Sequence, residues 1–456
     1  MTSNARIFLA TAVLVVPVAV GSMSIARPRY AFALCLLLGL VAIATRSTSY
    51  AVALAGMPIV IIGLLGHDPF PHGLVIVSLA AWATIAVIYG AMFTGKELPL
   101  SSLMALPVVG SLAILVLMLA RLGDSPDPAY GSFKIKLFLL INLTLLIAGI
   151  AIGSNRADFD LLVKLMLLVD ALSGIVLVYQ LLLGHAVELY PGRLTISPQE
   201  NPIWLGRAAA EGVIIAVYLI LTSDSLKLRR LAMVSLAPLA VAVTASGSRG
   251  PVIALVIGLI PLFALLLSDE RARKRILSVA VGVFAAVVVV SVSVPGSALS
   301  RSLSDFTSGS GISSDGRNSL LNTASHLIAS HPLYGVGTGG FAAFSTELYP
   351  HNIFLESAAE LGVVGLALVS LVLLAAGTAL IRLRMGGTPS DRNRSALLTA
   401  LFALSIINAQ LSGDITSNGP LWLTIGLTVG LSRSMGMKGS VSAARSSPVP
   451  RISAHG

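Results

Sequence analysis

Apolar residues fill this chain in long continuous blocks of roughly 15–25 residues, broken by short polar stretches. Blocks of that length cross a hydrocarbon layer of about 30 Å as helices. They lack the alternation of a half-buried strand, and backbone amides in lipid must be satisfied internally, so the pattern selects helices. Spans are predicted at 7–25, 30–45, 49–66, 73–93, 98–120, 135–153, 159–184, 203–222, 231–246, 251–268, 276–294, 352–381, 395–413 and 420–432. Because 30–45 and 420–432 are short, the expectation is an all-α, polytopic transmembrane helical bundle of about 12–14 spans. It divides into an N-terminal transmembrane region 1–294, a large loop 295–350, a C-terminal transmembrane region 351–432 and a small, polar, basic, disordered tail 433–456.

Two connections on one side are long: HAVELYPGRLTISPQENP near 185–202, and the loop from Pro295 to Pro350. Loops of the second kind are functional or disordered. Its first part, SLSDFTSGSGISSDG, is loose in composition. From Arg317, RNSLLNTASHLIAS sets Leu320, Leu321, Ala324, Leu327 and Ile328 on one helical stripe, with Asp315-Gly316 as a start and HPLYG as a stop. This reads as a short amphipathic helix that lies on the surface or caps a cavity, with a purely structural lid as the alternative. GVGTGG at 335–340 has the spacing of a dinucleotide fingerprint, but no strand precedes it and no βαβ unit surrounds it. Nucleotide binding is rejected there; the glycines serve a tight turn or a close approach.

Composition agrees with the pattern: 55% hydrophobic, 11% charged and a mean hydropathy of +0.91, where a soluble domain carries about a quarter charged residues. The net charge of +10 could suggest nucleic acid, but its distribution argues otherwise. With the N-terminus cytoplasmic, most lysines and arginines, including the clusters at Lys227–Arg230, Arg271–Arg275 and Arg382–Arg394, fall on the cytoplasmic side. The basicity is therefore an orientation signal for a multi-pass membrane protein, with both termini expected to be cytoplasmic. The single Cys35 lies in an apolar run and forms no internal disulfide framework. The first span has features of a signal peptide, with a retained first helix as the preferred reading.

The outer side is where chemistry is expected. Its cations are mostly arginine: Arg27, Arg29, Arg121, Arg193, Arg207, Arg249, Arg301 and Arg317, against Lys134 and Lys136. Arginine's planar fork binds phosphate oxygens in pairs, although each of these residues could instead snorkel to the headgroups. Arg249, in TASGSRGP, sits between two spans; Arg207 lies just inside one; Arg193 and Arg317 lie in the two loops. Glu356 and Glu360, early in their span, could neutralise such arginines or orient a neighbour. His351 opens that span beside Asn352, as a base for a hydroxyl or as a polar helix start. His67, His72, His185, His326 and His331 share no ligand spacing on one helix, so no metal is expected.

SRGP at 248–251, GRLTISPQENPIWLGR at 192–207, HPLYGVGTGGF and PHNIFLESAAELGVVGL together resemble the O-antigen ligase and O-antigen polymerase superfamily, most specifically over 317–366. The resemblance implies a GT-C-like membrane glycosyltransferase. Such an enzyme transfers glycan from an undecaprenyl-pyrophosphate-linked donor to a glycan, lipid-core or protein acceptor in O-antigen, capsule or exopolysaccharide synthesis. It implies His351 as the base, Arg249 and Arg317 as pyrophosphate ligands with Arg193 and Arg207 as weaker carry-overs, and Asn352, Glu356 and Glu360 in support. It also implies no metal and no cofactor, inversion at the anomeric carbon, and association with membrane lipids and other polysaccharide-assembly proteins. Ligase and polymerase stay open. So do a transporter or flippase and a structural subunit of an assembly complex.

Overall fold

The computed structural model describes residues 49, 102, 104–198, 200–293 and 312–446. The predicted spans 7–25, 30–45, 49–66 and 73–93 fall outside the described residues or touch them only at Ser49, and Cys35, Arg27, Arg29 and Arg301 also lie outside them. The helices are α1 (Leu106–Ala120), α2 (Pro128–Leu137), a π-helical stretch (Phe138–Leu143), α3 (Thr144–Gly153), α4 (Arg156–Leu183), α5 (Pro202–Thr222), α6 (Leu226–Ala245), α7 (Arg249–Leu266), α8 (Glu270–Ser293), α9 (Ile312–Ser330), α10 (Ile353–Gly386), α11 (Pro389–Leu411) and α12 (Gly419–Ser446). Among the described residues seven helices are long and apolar enough to cross a membrane, the first running through the π stretch from Pro128 to Gly153. The all-α, polytopic expectation holds.

Local sequence explains where the helices start. Asp127, Asn155, Asn201, Ser225 and Asn352 each accept a backbone N–H from the first turn of the following helix, and Thr388 with Asp391 forms a capping box at α11. Proline occupies the first turn of α2, α5 and α11, where its missing N–H matters least. The expected span 135–153 begins earlier, at Pro128, because the Asp-Pro cap starts a helix before the apolar run does. That brings Lys134, just outside the expected span, into a helix. The 185–202 connection holds an antiparallel hairpin, β1 (Val187–Tyr190) and β2 (Arg193–Thr195), which an all-α reading did not include.

Two apolar cores hold the bundle. One surrounds α5, which is buried along nearly its whole length by α4, α6, α7 and α11; the other joins α1, α3, α10 and α12. Helices α3 and α12 approach closely at Gly426, where a Cβ would fall 2.1 Å from the Leu146 carbonyl oxygen. Lipid supplies no hydrophobic drive between helices, so such small-residue contacts are how membrane helices gain packing. At one end of the bundle Arg156 binds Asp391 with two 2.7 Å bonds, and Arg394 binds Asp160 at 2.9 and 2.7 Å, tying α4 to α11. The opposite end carries the candidate site.

Helix α10 is broken at Gly362 (φ 67°, ψ −164°), and the break positions the loop before it. The carbonyls of Ala359 and Glu360 lose their helical partners and accept instead from the amides of Val336 and Gly337, both at 3.0 Å. The Val363 amide turns to the Pro332 carbonyl at 2.9 Å. A Cβ at Gly362 would lie 2.2 Å from the Leu333 oxygen, so only glycine fits. The GVGTGG run is thus a backbone plug in a broken helix, consistent with the close approach expected of it. Its Thr338 is anchored to α1 through the Met118 carbonyl at 2.8 Å.

Helix α9 packs on this plug through Leu320, Ala324, Leu327 and Ile328, against Val336, Phe341 and Ala359. Two details differ from the expected stripe. The helix starts at Ile312 rather than Asp315, and Leu321 is exposed, since it sits one residue past the buried row.

Candidate active site

The segments that end at this side of the bundle enclose a cavity of about 650 Å³. Arg193 reaches it from β2, Arg207 from α5, Arg249 from the first residue of α7, Arg317 from α9 and His351 from the residue pair preceding α10. All four arginines expected to bind pyrophosphate therefore meet the histidine around one space, although the five residues are spread over 193–351 of the sequence. Asn408, Ser412 and Glu347 are among its other polar lining residues.

The arginines differ in how they are held. The Arg207 guanidinium donates to the Asn408 carbonyl at 2.8 Å, the Ser412 carbonyl at 2.7 Å and Asn418 Oδ1 at 3.2 Å. It braces the C-terminal end of α11, where helix carbonyls lack partners. Arg193 lies over the Tyr190 ring at 5.9 Å. Burial lowers its pKa, Tyr190 acts in the opposite sense, and the neighbouring charges of Arg249 and Arg317 lower it further. Arg249 and Arg317 thus both lie within electrostatic reach of Arg193.

Arg249 begins α7, and Ser248 before it makes no side-chain cap. The Ser248 hydroxyl donates instead to the Ser246 carbonyl at 3.2 Å. Gly247 to Pro251 line the cavity, so an N-terminal helix end without a side-chain cap adds its positive dipole to the arginines.

His351 has a left-handed backbone (φ 57°), rare outside glycine. Pro350 before it is buried, and Asn352 after it caps α10 through bonds to the amides of Phe354 and Leu355, both 3.0 Å. The sharp turn between these anchors aims the imidazole into the cavity, and the Tyr349 ring packs edge-on at 4.8 Å. Burial holds the His351 pKa below its ordinary value; Glu347 and Asp414 oppose this, and Arg317 and Arg207 reinforce it. Burial also pushes the Tyr349 hydroxyl up to about 12.

Glu356 and Glu360 do not meet the arginines. Both are buried against Lys134 of α2, whose ammonium donates to Glu356 and, at 2.6 Å, to Glu360. The two acids lie one and two turns into α10, on the side that meets α2 and not the cavity. The carboxylates also receive loop amides: Ile415 N–H on Glu356 and Gly339 N–H on Glu360, each at 2.8 Å. The triad therefore clamps the glycine plug, α2 and the turn after α11 together behind His351.

Sequence reasoning missed Lys134, which looked like a loop cation, and Glu347, whose only signal was an acid one helical turn before His351. It also missed Asp170 of α4 and Glu211 of α5, a close acidic pair inside the bundle.

A family model described as O-antigen ligase matches residues 231–370. No curated protein matches the chain. The matched segment contains Arg249, Arg317, Glu347, His351, the glycine plug and the broken first half of α10; Arg193, Arg207 and the turn after α11 lie outside it.

Proposed function

We infer from the family match over residues 231–370, together with the apolar helices, that this is an O-antigen ligase-like membrane protein. We propose that it is a metal-independent, inverting glycosyltransferase that moves glycan from undecaprenyl pyrophosphate to an acceptor sugar hydroxyl. The convergence of Arg193, Arg207, Arg249 and Arg317 with His351 around one 650 Å³ cavity is the observation that carries this reading.

Like charges brought this close repel, and a pyrophosphate relieves the repulsion. Guanidinium forks and the α7 N-terminus match phosphate oxygens, and they stabilise the charge that grows on the leaving pyrophosphate as the glycosidic bond breaks. Asn408 offers a buried amide oxygen that has no partner among the described residues, suited to a glycan hydroxyl. The acceptor hydroxyl is activated at the His351 end of the cavity and attacks the anomeric carbon on the face away from the pyrophosphate.

The sidedness follows from charge. The basic clusters at 227–230, 271–275 and 382–394 belong to the bundle end away from the cavity, which supports a cytoplasmic position for that end and an outer position for the cavity. Nucleotide sugars and ATP are absent there, so a transferase needs a donor already activated by its lipid.

The test is transfer from a lipid-pyrophosphate-linked oligosaccharide by protein in vesicles. Arg249→Ala and Arg317→Ala are each expected to lower kcat by about 10²-fold, the scale for removing one transition-state donor. Unchanged kcat in both would reject the assignment. A product ladder without added acceptor identifies a polymerase; a single transfer to an added lipid core or protein identifies a ligase.

A further inference from the structure

The two ring nitrogens of His351 keep different company. Nδ1 accepts the Gly413 backbone N–H at 3.3 Å. A nitrogen that accepts from an amide commits its lone pair, so the proton of the neutral ring resides on Nε2. Nε2 faces Glu347 Oε2 at 4.0 Å. With Nδ1 engaged and Nε2 protonated, the neutral imidazole has a donor to offer a substrate and no free lone pair to take a proton.

The carboxylates nearby are not equivalent. Asp414 is buried, and its oxygens accept from the Thr416 amide and hydroxyl and from the Ser417 amide. Glu356 and Glu360 are committed to Lys134. Glu347 alone among the described acids lines the cavity, with a side chain 60% exposed. It lies on the segment between the 3-10 turn (Gly340–Phe344) and α10, one turn before His351.

We propose that Glu347 takes the proton from the acceptor hydroxyl, while His351 Nε2–H positions its carboxylate. The assignment rests on the transferase reading. In the step, the acceptor O–H bond breaks and its proton passes to the Glu347 carboxylate. The oxygen lone pair forms the new bond to the anomeric carbon, and the old C–O bond breaks with its electron pair leaving on the pyrophosphate. The 4.0 Å gap closes by side-chain rotation, as catalytic hydrogen bonds commonly do on substrate binding. Burial, with Arg317 and Arg207, disfavours the charged ring, so Nδ1 keeps the lone pair that accepts the Gly413 amide and holds Nε2–H toward Glu347.

Two measurements on the full chain in vesicles test this. Glu347→Ala and Glu347→Gln are expected to lower kcat by about 10²–10⁴-fold with the donor KM near wild type, the range for loss of a general base. Added formate should restore part of the Glu347→Ala activity by standing in for the carboxylate. ¹⁵N spectra of histidine-labelled protein, with the His351 signals identified by their loss in His351→Gln, should place the neutral ring's proton on Nε2. An active wild type with an equally active Glu347→Gln, or a proton found on Nδ1, overturns this assignment and leaves the transferase reading standing. A folded wild type that transfers nothing refutes the transferase reading and takes this assignment with it.

Discussion

His351 and Lys134 mark the two ways single residues organise this site. A non-glycine residue in the left-handed region carries a strain of about 1–2 kcal/mol, and the neighbours that hold it there fix the direction of the ring. The ring's pKa lies below its ordinary value of about 6.5, so His351 is neutral at neutral pH and gains charge only on acidification. Protonation puts a hydrogen on Nδ1, opposing the Gly413 amide, so kcat should fall as pH drops, with a midpoint below ~6.5. Arg317→Ala removes a repelling cation and should move the His351 midpoint upward, measured by NMR titration; a downward shift would contradict this electrostatic account. Lys134 compensates two buried carboxylates at once. Lys134→Met should destabilise the protein by about 3–5 kcal/mol, the scale for breaking a buried ion pair from one side, in a thermal or denaturant unfolding assay. The arginines were legible in the sequence because their type and outer placement suggest phosphate. Lys134 was not, because hydropathy gives a cation near a span end no indication of burial.

Among the elements, α9 and α10 show how far local pattern reaches. The stripe Leu320, Ala324, Leu327 was readable because it packs at helical spacing against one surface. The break in α10 was not, because Leu361-Gly362-Val363 is as apolar as any continuous helix; only the plug that fills the break, 22 or more residues earlier, reveals its use. Gly362→Ala combines a positive φ with a Cβ placed 2.2 Å from the Leu333 oxygen. It should cost about 4 kcal/mol or more and release the GVGTGG plug, seen as faster amide exchange at Val336 and Gly337. The hairpin at 187–195 was hidden for a different reason: its strands are too short for alternation to register. At the α3–α12 contact, Gly426→Ala should destabilise by about 1–3 kcal/mol through overpacking against the Leu146 backbone.

At the scale of the whole molecule, the division of labour is between ends. One end ties its helices with Arg156–Asp391 and Arg394–Asp160 pairs and carries the basic clusters; the other gathers Arg193, Arg207, Arg249, Arg317, Glu347 and His351. Hydropathy foretold the polytopic helical class, since span length depends on the bilayer and not on which helix neighbours which. It could not foretell the cavity, because that depends on α5, α7, α10 and α11 ending at one level. The proposed function requires this cavity to hold the donor pyrophosphate. The most direct measurement is a cryo-EM structure of the protein with an undecaprenyl-pyrophosphate-linked oligosaccharide. The account predicts pyrophosphate density between Arg249 and Arg317 and the first sugar facing the His351–Glu347 pair. Pyrophosphate bound at the Arg156–Arg394 end, or in the bundle beside Asp170 and Glu211, would contradict it.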